Sequence, residues 1–588
     1  MTRVPTLLLV ALLSVATACP IPTRNKPERA RGPEAADVVV LTLHGELTEQ
    51  GDEGQPFGGN ATSLRKVLRR LHQARTTKKV DKIVLRIGNL ATGWAQLAEL
   101  RHAVALARKA GKRVIAHLDD AGNGEYFLAT AADEIVMSQS SSLWLVGVSA
   151  RVLFLKGLLD KVGVQAEFLR EGKYKSAADP LTRDQMSPEM KEALGALLDD
   201  TYQTLVDAVV ARRKVKPAAL KAWIDASPHS AQEAKTFGLV DRIATHRADT
   251  RRLAGNGTIN WNYGKKKRET GTLRSLMELL KPSEMTKPPK APHVALVYAE
   301  GPIIHGPPRK GFGVSAHVSD FRLIKELDGL YDRPQVKAVV LRINSGGGSA
   351  LASELIWQAV KRLASKKPVV VSMGDVAASG GYYIATPATR IYAEPATITG
   401  SIGVIGGKFS LAGLFQKLGV TSGVVSRGAH ADLFTLARPW TPDERQVVQT
   451  FMSRTYQLFV KRVATSRKLP TDAVQRVAQG RVWSGKAALK HKLVDRLGGL
   501  LAAVADAKQL AKLPASAKTA IYPRPRSWIE KLQDSLGVND TRAQLLTRLV
   551  LELGSGQETR QLRNLLLALP AWQQERALAW MPLILRIH

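Results

Sequence analysis

An internal duplication is the feature that most constrains what this chain can fold into. Residues 80–87 read Val-Asp-Lys-Ile-Val-Leu-Arg-Ile, and residues 336–343 read Val-Lys-Ala-Val-Val-Leu-Arg-Ile, an offset of 256 positions (336 − 80). The same offset relates residues 38–45 to 294–301 and residues 126–130 to 382–386. Further on, residues 201–203 match 455–457 at an offset of 254, so the second copy lacks two residues in the stretch that corresponds to about 172–187. We therefore expect two copies of one domain in tandem.

Each copy alternates short apolar runs with helical stretches, for example at residues 97–110 and 351–364. This alternation is typical of βαβ units and predicts an α/β fold for both copies. The predicted boundaries are 37–246 for the first copy, 247–292 for a linker rich in Arg, Lys, Gly, Asn and Pro, and 293–510 for the second copy. The tail, 511–588, carries apolar clusters and is expected to be helical, either as packing helices or as a basic amphipathic segment lying on a membrane.

The N-terminus predicts export from the cytoplasm. A short basic start is followed by a nearly continuous apolar run at 4–15 and then by Ala-Thr-Ala-Cys at 16–19. This pattern is typical of a signal peptide, and its end resembles a bacterial lipobox, in which the cysteine is lipidated. We expect residues 1–19 to be removed or to end at a lipidated Cys19, with 20–36 as a flexible tether. Cys19 is the one cysteine of the chain, so no internal disulfide can form.

The net charge of +34 is unusually high for a chain of 588 residues. Such a charge is compatible with a nucleic acid, an anionic membrane surface or acidic substrates. An exported protein does not meet the chromosome, so a membrane surface is the expected partner and nucleic acid is not.

The second copy contains a candidate nucleophile, Ser379. The apolar run at 368–373 predicts a buried strand, and Ala-Ala-Ser-Gly-Gly at 377–381 predicts a tight turn into a helix. A serine in such a turn has little bulk around its hydroxyl, and the first N–H groups of the helix are free to receive an oxyanion. The alternative is a serine that only caps the helix.

Comparison of the copies suggests a partner for this serine. Asn123 replaces Ser379 in the first copy, whereas Lys175 of the first copy faces Ala429 or Ala431, depending on where the two-residue gap is placed. Each copy thus holds one member of a possible serine and lysine pair. A lysine acts as a base only when neutral, so its pKa must fall from about 10.4 toward the working pH. Spacing alone allows the neighbouring Lys173 equally well, and both lysines could simply face solvent.

Five segments resemble the long, duplicated bacterial form of signal peptide peptidase A over roughly residues 36–510. They are Gly-Lys-Tyr-Lys-Ser-Ala at 172–177, Asn-Ser-Gly-Gly-Gly-Ser at 344–349, Ala-Ala-Ser-Gly-Gly-Tyr at 377–382, Thr-Gly-Ser-Ile-Gly at 399–403 and Gly-Arg-Val-Trp-Ser-Gly at 480–485. The resemblance implies two ClpP/crotonase-like α/β spirals. It also implies that Ser379 is the nucleophile and Lys175 the general base, meeting at the interface between the copies.

The same resemblance implies an oxyanion hole formed by the N–H groups of Gly347 and Gly380. Glycines without a Cβ allow the backbone to approach a substrate carbonyl. Gly346 departs from the proline that is common in the family, which removes no donor. The resemblance further implies a membrane-associated homotetramer that cleaves signal peptides and other short or unfolded chains, without a metal or cofactor. We therefore expect a serine endopeptidase anchored in the cell envelope and facing the periplasm.

Three alternatives remain open at this stage. A triad of Ser379, His430 and Asp432 would lie within the second copy and need no lysine. A catalytically inactive scaffold lipoprotein would keep the fold without the activity. An acyl-CoA enzyme of the crotonase type shares the oxyanion device, but it has no use for a serine and lysine pair.

Overall fold

The computed structural model describes residues 35–50, 62–264, 289–308 and 316–524, together with the backbone of 578–580. Cys19, the predicted signal peptide, most of the tether and the basic part of the linker lie outside the described residues. Most of the predicted tail does so as well.

The first half alternates strands and helices as its sequence predicts. Its strands are β1 (Val38–Thr48), β2 (Thr62–Ser63), β3 (Lys82–Ala91), β4 (Arg113–Leu118), β5 (Ala121–Gly122), β6 (Glu134–Met137), β7 (Ser142–Trp144), β8 (Gln165–Glu171), β9 (His229–Ser230), β10 (Arg242–Ile243) and β11 (Ile259–Asn260). Its helices are α1 (Leu64–Thr76), α2 (Trp94–Lys109), α3 (Asn123–Ala129), α4 (Lys156–Val162), α5 (Asp179–Thr182), α6 (Pro188–Arg213), α7 (Pro217–Asp225), α8 (Ala231–Thr236) and α9 (His246–Ala254).

The second half repeats this order. Its strands are β12 (His293–Glu300), β13 (Ile303–Ile304), β14 (Val318–Ser319), β15 (Val336–Ser345), β16 (Gly347–Ser349), β17 (Val369–Ala378), β18 (Arg390–Ala393), β19 (Ile398–Gly400), β20 (Val404–Ser410), β21 (Val482–Ser484), β22 (Arg496–Leu497), β23 (Thr519–Tyr522) and β24 (Leu578–Trp580). Its helices are α10 (Asp320–Asp332), α11 (Ala350–Lys366), α12 (Gly380–Ala385), α13 (Ala412–Leu418), α14 (Pro442–Arg467), α15 (Thr471–Val477), α16 (Gly485–Lys490) and α17 (Leu500–Leu510).

Each half is built on a largely parallel sheet with its own buried core. In the first half the order is β10-β6-β4-β3-β1-β11, and in the second it is β21-β19-β17-β15-β12-β23, with β18 paired to β17 and β22 paired to β18. Buried aliphatic side chains of these strands pack against α2 and α3 in the first half and against α11 and α12 in the second. The predicted duplication and α/β architecture are confirmed.

A third sheet joins the two halves. Its order is β14-β13-β16-β24-β20-β8. Within it β8 of the first half runs antiparallel to β20 of the second, and all seven residues from Gln165 to Glu171 have register partners. The backbone ladder therefore connects the strand that leads to Lys175 with the strand that follows Ser401.

The structure extends both halves beyond the predicted boundaries. In the first half, α9 and β11 belong to the stretch predicted as linker, and β11 pairs with β1. In the second, β23 pairs with β12, so part of the predicted helical tail is a strand of the second sheet. Residues 578–580 are also a strand rather than helix. The cause is that a short apolar run takes its conformation from the sheet edge that receives it, which local pattern does not reveal.

Candidate active site

Ser379 occupies the turn between β17 and α12 and is fully buried. Its backbone angles are φ 54° and ψ −116°, a combination that residues other than glycine rarely adopt. The turn is held by Ser379 N, which donates to Gly400 O at 2.8 Å, and by Tyr383 N, which donates to Ser379 O at 2.8 Å. The strained turn aims the hydroxyl away from α12 and toward the first half, as a nucleophile elbow does.

Lys175 reaches this hydroxyl from the first half. It follows β8 and precedes a short 3₁₀ turn at Ser176–Ala178. Its Nζ donates to Ser379 Oγ at 2.7 Å, although 204 residues separate the two in sequence. The same Nζ lies 3.0 Å from both the carbonyl oxygen and the hydroxyl of Ser401. The structure thus brings Ser379 and Lys175 into direct contact.

The surroundings of Lys175 favour its neutral form. The side chain is 1% exposed, and Met190, Leu194 and Val482 line the small cavity beside it. Burial lowers the pKa of Lys175 from 10.5 to about 7. Because desolvation disfavours the ammonium form, a large fraction of this amine is unprotonated at neutral pH.

A short segment of the second half holds the Lys175 loop in place. Tyr174 N donates to Gln479 O at 2.8 Å. Gly480, with φ +77°, packs so tightly that a Cβ there would lie 2.6 Å from the backbone N and Cβ of Lys175. Only glycine combines this backbone conformation with so close an approach. The lysine is therefore positioned by both halves.

The glycine-rich stretch after β15 lies beside the Ser379 turn. Ser345 pairs with Ala377 in the sheet, and a Cβ at Gly381 would lie 2.4 Å from Ser345 O. Gly347 has φ 96°, and its N–H donates to Ser345 Oγ at 3.1 Å. The predicted oxyanion donors, the N–H groups of Gly347 and Gly380, thus come from two segments that pack against each other at this turn.

Ser401 is a neighbour of Lys175 that the sequence pattern did not predict. It is buried, and its N–H donates to Arg481 O at 2.7 Å. Its φ of 51° is unusual for a residue other than glycine. The available signal was its place in the Thr-Gly-Ser-Ile-Gly motif, but nothing in that motif indicates that Lys175 would be its neighbour.

A buried ionic cluster also links the halves near the site. Arg342 of β15 is fully buried, and its Nη2 lies 2.8 Å from Glu49 and 2.6 Å from Glu99, both of the first half. Asp375 of β17 accepts hydrogen bonds from the N–H groups of Ala95 and Gln96 at the start of α2. Burial, reinforced by Glu49, raises the pKa of Asp375 to about 6. Nothing in the sequence pattern predicted this cluster.

The structure separates the alternative bases from Ser379. His430 Nε2 lies 3.7 Å from Asp443, and Asp432 pairs with Arg438 at 3.3 Å, so the predicted alternative triad is not assembled. Lys173 is exposed, with Nζ 5.1 Å from the centre of the Tyr174 ring. Lys173 therefore faces solvent, whereas Lys175, two residues further on, is buried.

Two features are absent from the described residues. Within those ranges, no cluster of three or more His, Cys, Asp and Glu side chains is arranged to bind a metal ion. No helix in the same ranges has the length and apolar character needed to cross a membrane.

A buried serine in a strained strand-to-helix turn, hydrogen-bonded to a lysine of lowered pKa, is an arrangement that suits serine-type peptidase chemistry. Comparisons with known proteins agree. The profile of Peptidase family S49 matches residues 106–258 and 361–514, once in each half. The chain belongs to this family, and it is a serine-type peptidase.

Two relatives illustrate the similarity. The chain is 33% identical over 515 residues to "Serine protease SPPA, chloroplastic" of Arabidopsis thaliana, covering 85% of this chain and 73% of the relative. It is 34% identical over 509 residues to "Protease 4" of Salmonella typhi, covering 83% and 80%. Among solved structures, a mutant of a membrane-bound stomatin-specific protease aligns with 40% of this chain and 99% of its own, at 14% identity and a TM-score of 0.25.

Proposed function

We propose that this protein is an endopeptidase in which Ser379 is the nucleophile and Lys175 the general base. The observation that carries the proposal is the 2.7 Å hydrogen bond between Lys175 Nζ and Ser379 Oγ, two side chains that are both buried. A desolvated lysine directed at the hydroxyl of a strained serine is typical of a base and nucleophile pair.

In the proposed acylation, the neutral amine of Lys175 takes the Ser379 proton as Oγ attacks the peptide carbonyl carbon. The N–H groups of Gly347 and Gly380 stabilise the oxyanion of the tetrahedral intermediate. The ammonium of Lys175 then gives its proton to the leaving nitrogen as the C–N bond breaks, which leaves the acyl group on Ser379.

Deacylation uses the same groups in reverse. Lys175 removes a proton from a water molecule, whose oxygen attacks the acyl carbon. The bond from carbon to Ser379 Oγ then breaks, and the proton returns from Lys175 to Oγ. Ser401 accepts from Lys175 through its carbonyl and hydroxyl oxygens, so it holds Nζ within reach of Ser379 during both half-reactions.

The proposed substrates are cleaved signal peptides and other short or unfolded chains, handled at the cell envelope. The sequence supports this location through the signal-like residues 1–19 and the lipobox-like Cys19, which would anchor the protein facing the periplasm. The net charge of +34 supports contact with an anionic membrane surface.

The test uses the full-length protein in detergent micelles and an unfolded, fluorescently labelled protein as substrate. Ser379→Ala and Lys175→Ala should each lower kcat/KM by about 1000-fold or more. Lys173→Ala and His430→Ala, as matched controls, should stay within about twofold of wild type. If His430→Ala abolishes cleavage and Lys175→Ala does not, the base lies in the second half. If wild type cleaves nothing and a fluorophosphonate does not label Ser379, the inactive scaffold is the correct alternative.

We further propose that the active form is a homotetramer, closed head to tail. The supporting observation is that β8 and β20 pair within the chain while their counterparts do not. At the offset of 256, β8 corresponds to residues 421–427 and β20 to residues 148–154, and neither segment forms a strand. Pairing of 421–427 with 148–154 of another copy would repeat the internal interface between chains, and heterologous contacts of this kind generate rings.

Burial of equivalent residues agrees with this arrangement. Ile402 is 0% exposed at the internal interface, whereas its counterpart Val146 is 56% exposed. Leu169 packs against the second core, whereas Val425 is 90% exposed. Leu153, which is 37% exposed, and Val425 lie in the two unpaired segments, and Val146 lies two residues before the first of them. Exposed apolar residues of this kind indicate a surface that another protein covers.

Light scattering of the purified protein tests the ring. Wild type should have four times the mass of the chain, and Val425→Glu should shift the mass toward the monomer with an unchanged circular dichroism spectrum. Leu497→Glu, at an exposed apolar residue of β22, is the control and should remain tetrameric. A tetrameric Val425→Glu protein would show that 421–427 does not join the copies.

A further inference from the structure

Arg481 of the second half contacts both halves of the protein next to the proposed catalytic pair. It directly precedes β21, and its carbonyl oxygen accepts the N–H of Ser401 at 2.7 Å. Ser401 in turn contacts Lys175 Nζ through its carbonyl and hydroxyl oxygens, each at 3.0 Å. The backbone of Arg481 is therefore one hydrogen bond away from the residue that holds the amine.

The side chain of Arg481 crosses to the loop that carries Lys175. Its Nη1 donates to Tyr174 Oη at 3.2 Å and also pairs with Glu192. The Tyr174 hydroxyl donates to Glu192 Oε2 at 2.9 Å, so the three side chains form a closed network. Tyr174 directly precedes Lys175, and Glu192 belongs to α6. The network thus ties an arginine of the second half to two segments of the first.

Two aromatic rings hold the guanidinium of Arg481 in place. Its central carbon lies 4.9 Å from the centre of the Tyr174 ring and 4.5 Å from the centre of the Trp483 ring. The side chain is only 17% exposed, although it carries a full charge. Arginine combines a planar set of donors with stacking on aromatic rings, whereas lysine offers a flexible point charge. The position therefore suits arginine, whose fixed geometry also fixes the orientation of Tyr174.

The duplication separates this network from the needs of the fold. At the offset of 254, Arg481 corresponds to Ser227 and Glu192 to Gln446. Both halves keep the elements at these places, since α14 repeats α6 and β21 repeats β9. The arginine occurs in the half with the proposed nucleophile, and the glutamate in the half with the proposed base. A network required only for folding would be expected at both places, so its presence beside the catalytic pair points to a role in catalysis.

The effect of Arg481 on Lys175 is one of position and not of charge. The guanidinium pairs with Glu192 and lowers the pKa of that carboxyl, so the pair has no net charge. The cavity beside Lys175 is lined by apolar side chains such as Met190 and Leu194. Burial is the cause that lowers the pKa of Lys175 to about 7. The neutral amine therefore depends on a loop that stays closed around it.

We propose that Arg481 is a positioning residue, which holds the Lys175 loop against Ser401 through Tyr174 and Glu192. The inference rests on the proposed function, because it assumes that Lys175 is the base. Loss of the arginine should loosen the loop, move the amine away from the nucleophile and admit water to it. Proton transfer should then slow down, and the pKa of Lys175 should rise toward its value in water.

The experiment measures kcat and KM against pH for the full-length protein and two arginine variants. Arg481→Met removes the network and keeps an apolar side chain of similar length. Arg445→Met is the matched control, because Arg445 also pairs across the halves, with Glu167 of β8 at 2.7 Å. Arg481→Met should lower kcat about 30-fold at pH 7 with KM within about twofold of wild type, whereas Arg445→Met should stay within about twofold in both.

The pH profile distinguishes positioning from a general loss of stability. A rise of about one unit in the pKa of Lys175 lowers its neutral fraction from about half to about one tenth at pH 7, but leaves about nine tenths neutral at pH 9. In Arg481→Met the acid limb of kcat/KM should therefore move up by about one unit, and the loss should be about fivefold larger at pH 7 than at pH 9. An unchanged limb, or an equal loss at both pH values, would overturn the inference.

Two conservative variants keep the test valid if Arg481→Met does not fold. Tyr174→Phe keeps the ring beside the guanidinium and removes the hydroxyl, whereas Arg481→Lys keeps a charge for Glu192 and loses the planar stack. Each should lower kcat by about three- to tenfold and shift the acid limb upward by less than Arg481→Met does. Wild-type kcat and an unshifted limb in both variants would contradict the proposed role.

Labelling of Ser379 by a fluorophosphonate separates this inference from the proposed function. Arg481→Met should be labelled more slowly than wild type at pH 7, and the difference should narrow at pH 9. Equal labelling and equal cleavage by the two proteins would overturn the inference alone. If wild type is neither labelled nor active, or if Lys175→Ala is fully active, the proposed function fails and the inference fails with it.

Discussion

The turn that carries Ser379 and the turn that carries Asn123 lie at equivalent places in the two halves, yet only the former is strained. Ser379 has φ 54° and ends the strand before α12 begins at Gly380. In the first half, Gly122 takes the capping position with φ −90°, and Asn123 is already the first helical residue, its amide donating to Gly147 O at 2.7 Å. The half without the proposed nucleophile also has a relaxed turn, which is expected if the strain at Ser379 positions its hydroxyl rather than stabilising the fold.

Arg342 and its counterpart Arg86 show a second difference. Arg86 pairs with Asp119 at 3.0 Å on the surface, where the two side chains are 44% and 41% exposed. Arg342 is buried against Glu49 and Glu99 of the other half. Equivalent residues have thus become a surface ion pair in one half and an interface cluster in the other.

The largest effect on stability is expected from substitution of Arg342, compared with the same substitution of Arg86. Arg342→Met leaves Glu49 and Glu99 buried beside an apolar side chain, and should destabilise the protein by about 3–5 kcal/mol. Arg86→Met removes an exposed pair and should cost less than about 1 kcal/mol. Thermal unfolding of both variants measures the difference. Equal melting temperatures would show that the buried cluster does not hold the halves together.

The pH dependence of cleavage tests whether burial lowers the pKa of Lys175. Lys175 is a base only when neutral, and its pKa is lowered to about 7 by burial. Activity should therefore be lost as pH falls below about 7, with kcat/KM decreasing about 50-fold between pH 7 and pH 5. Above about pH 8 the profile should level off. A profile that keeps rising to pH 10 would mean that Lys175 titrates like a solvated lysine.

Ser401 offers a smaller and more specific test, because its counterpart in the first half is Leu145. Loss of the hydroxyl removes one of two contacts from Ser401 to Lys175 Nζ, so Ser401→Ala should lower kcat by about tenfold with little change in KM. Ser401→Gly also lacks the hydroxyl but accepts φ 51° without strain. Similar kcat values for both variants would assign the effect to the hydroxyl, whereas a fully active Ser401→Gly would assign it to the backbone.

The smallest effect concerns the strain itself. Ser379→Gly should abolish cleavage and stabilise the protein by about 1 kcal/mol, because glycine adopts φ 54° freely. Asn123→Gly should destabilise it instead, since it removes the bond to Gly147 and places glycine in the first turn of a helix. Melting temperatures of the two variants should thus move in opposite directions, and a shift in the same direction would contradict the difference in strain.

Much of the fold could be predicted because the duplication lets one copy test the other. Constant offsets identified the paired strands, and the complementary presence of Ser379 and Lys175 indicated a site between the halves. The choice of Lys175 over Lys173 needed either the resemblance or the structure, since only packing decides which lysine is buried. Ser401 could not be recognised as a neighbour of Lys175 from the sequence. The pairing of β8 with β20 brings the two residues together, and no local sequence pattern marks that pairing.

The short strands near the C-terminus could not be predicted from local sequence either. Nothing in residues 519–522 marks them as the edge of the second sheet, and the pairing of 578–580 depends on β16 and β20, two strands that lie far away in the sequence. Local propensity is weak in such short runs, and the receiving edge determines the conformation. Arg342 was visible as a charge within an apolar run, but Arg86 occupies an identical pattern with the opposite outcome.

The separation of 204 residues between Lys175 and Ser379 also has a consequence for biosynthesis. A ribosome adds about 5–20 residues per second, so the lysine is made roughly 10–40 seconds before the serine. Neither half can assemble the pair alone, and β8 must wait for β20 to be made before the two strands can dock. The proposed Ser379–Lys175 pair therefore cannot form on a growing chain until synthesis has passed β20, so the first half remains without its partner residue for all of that time.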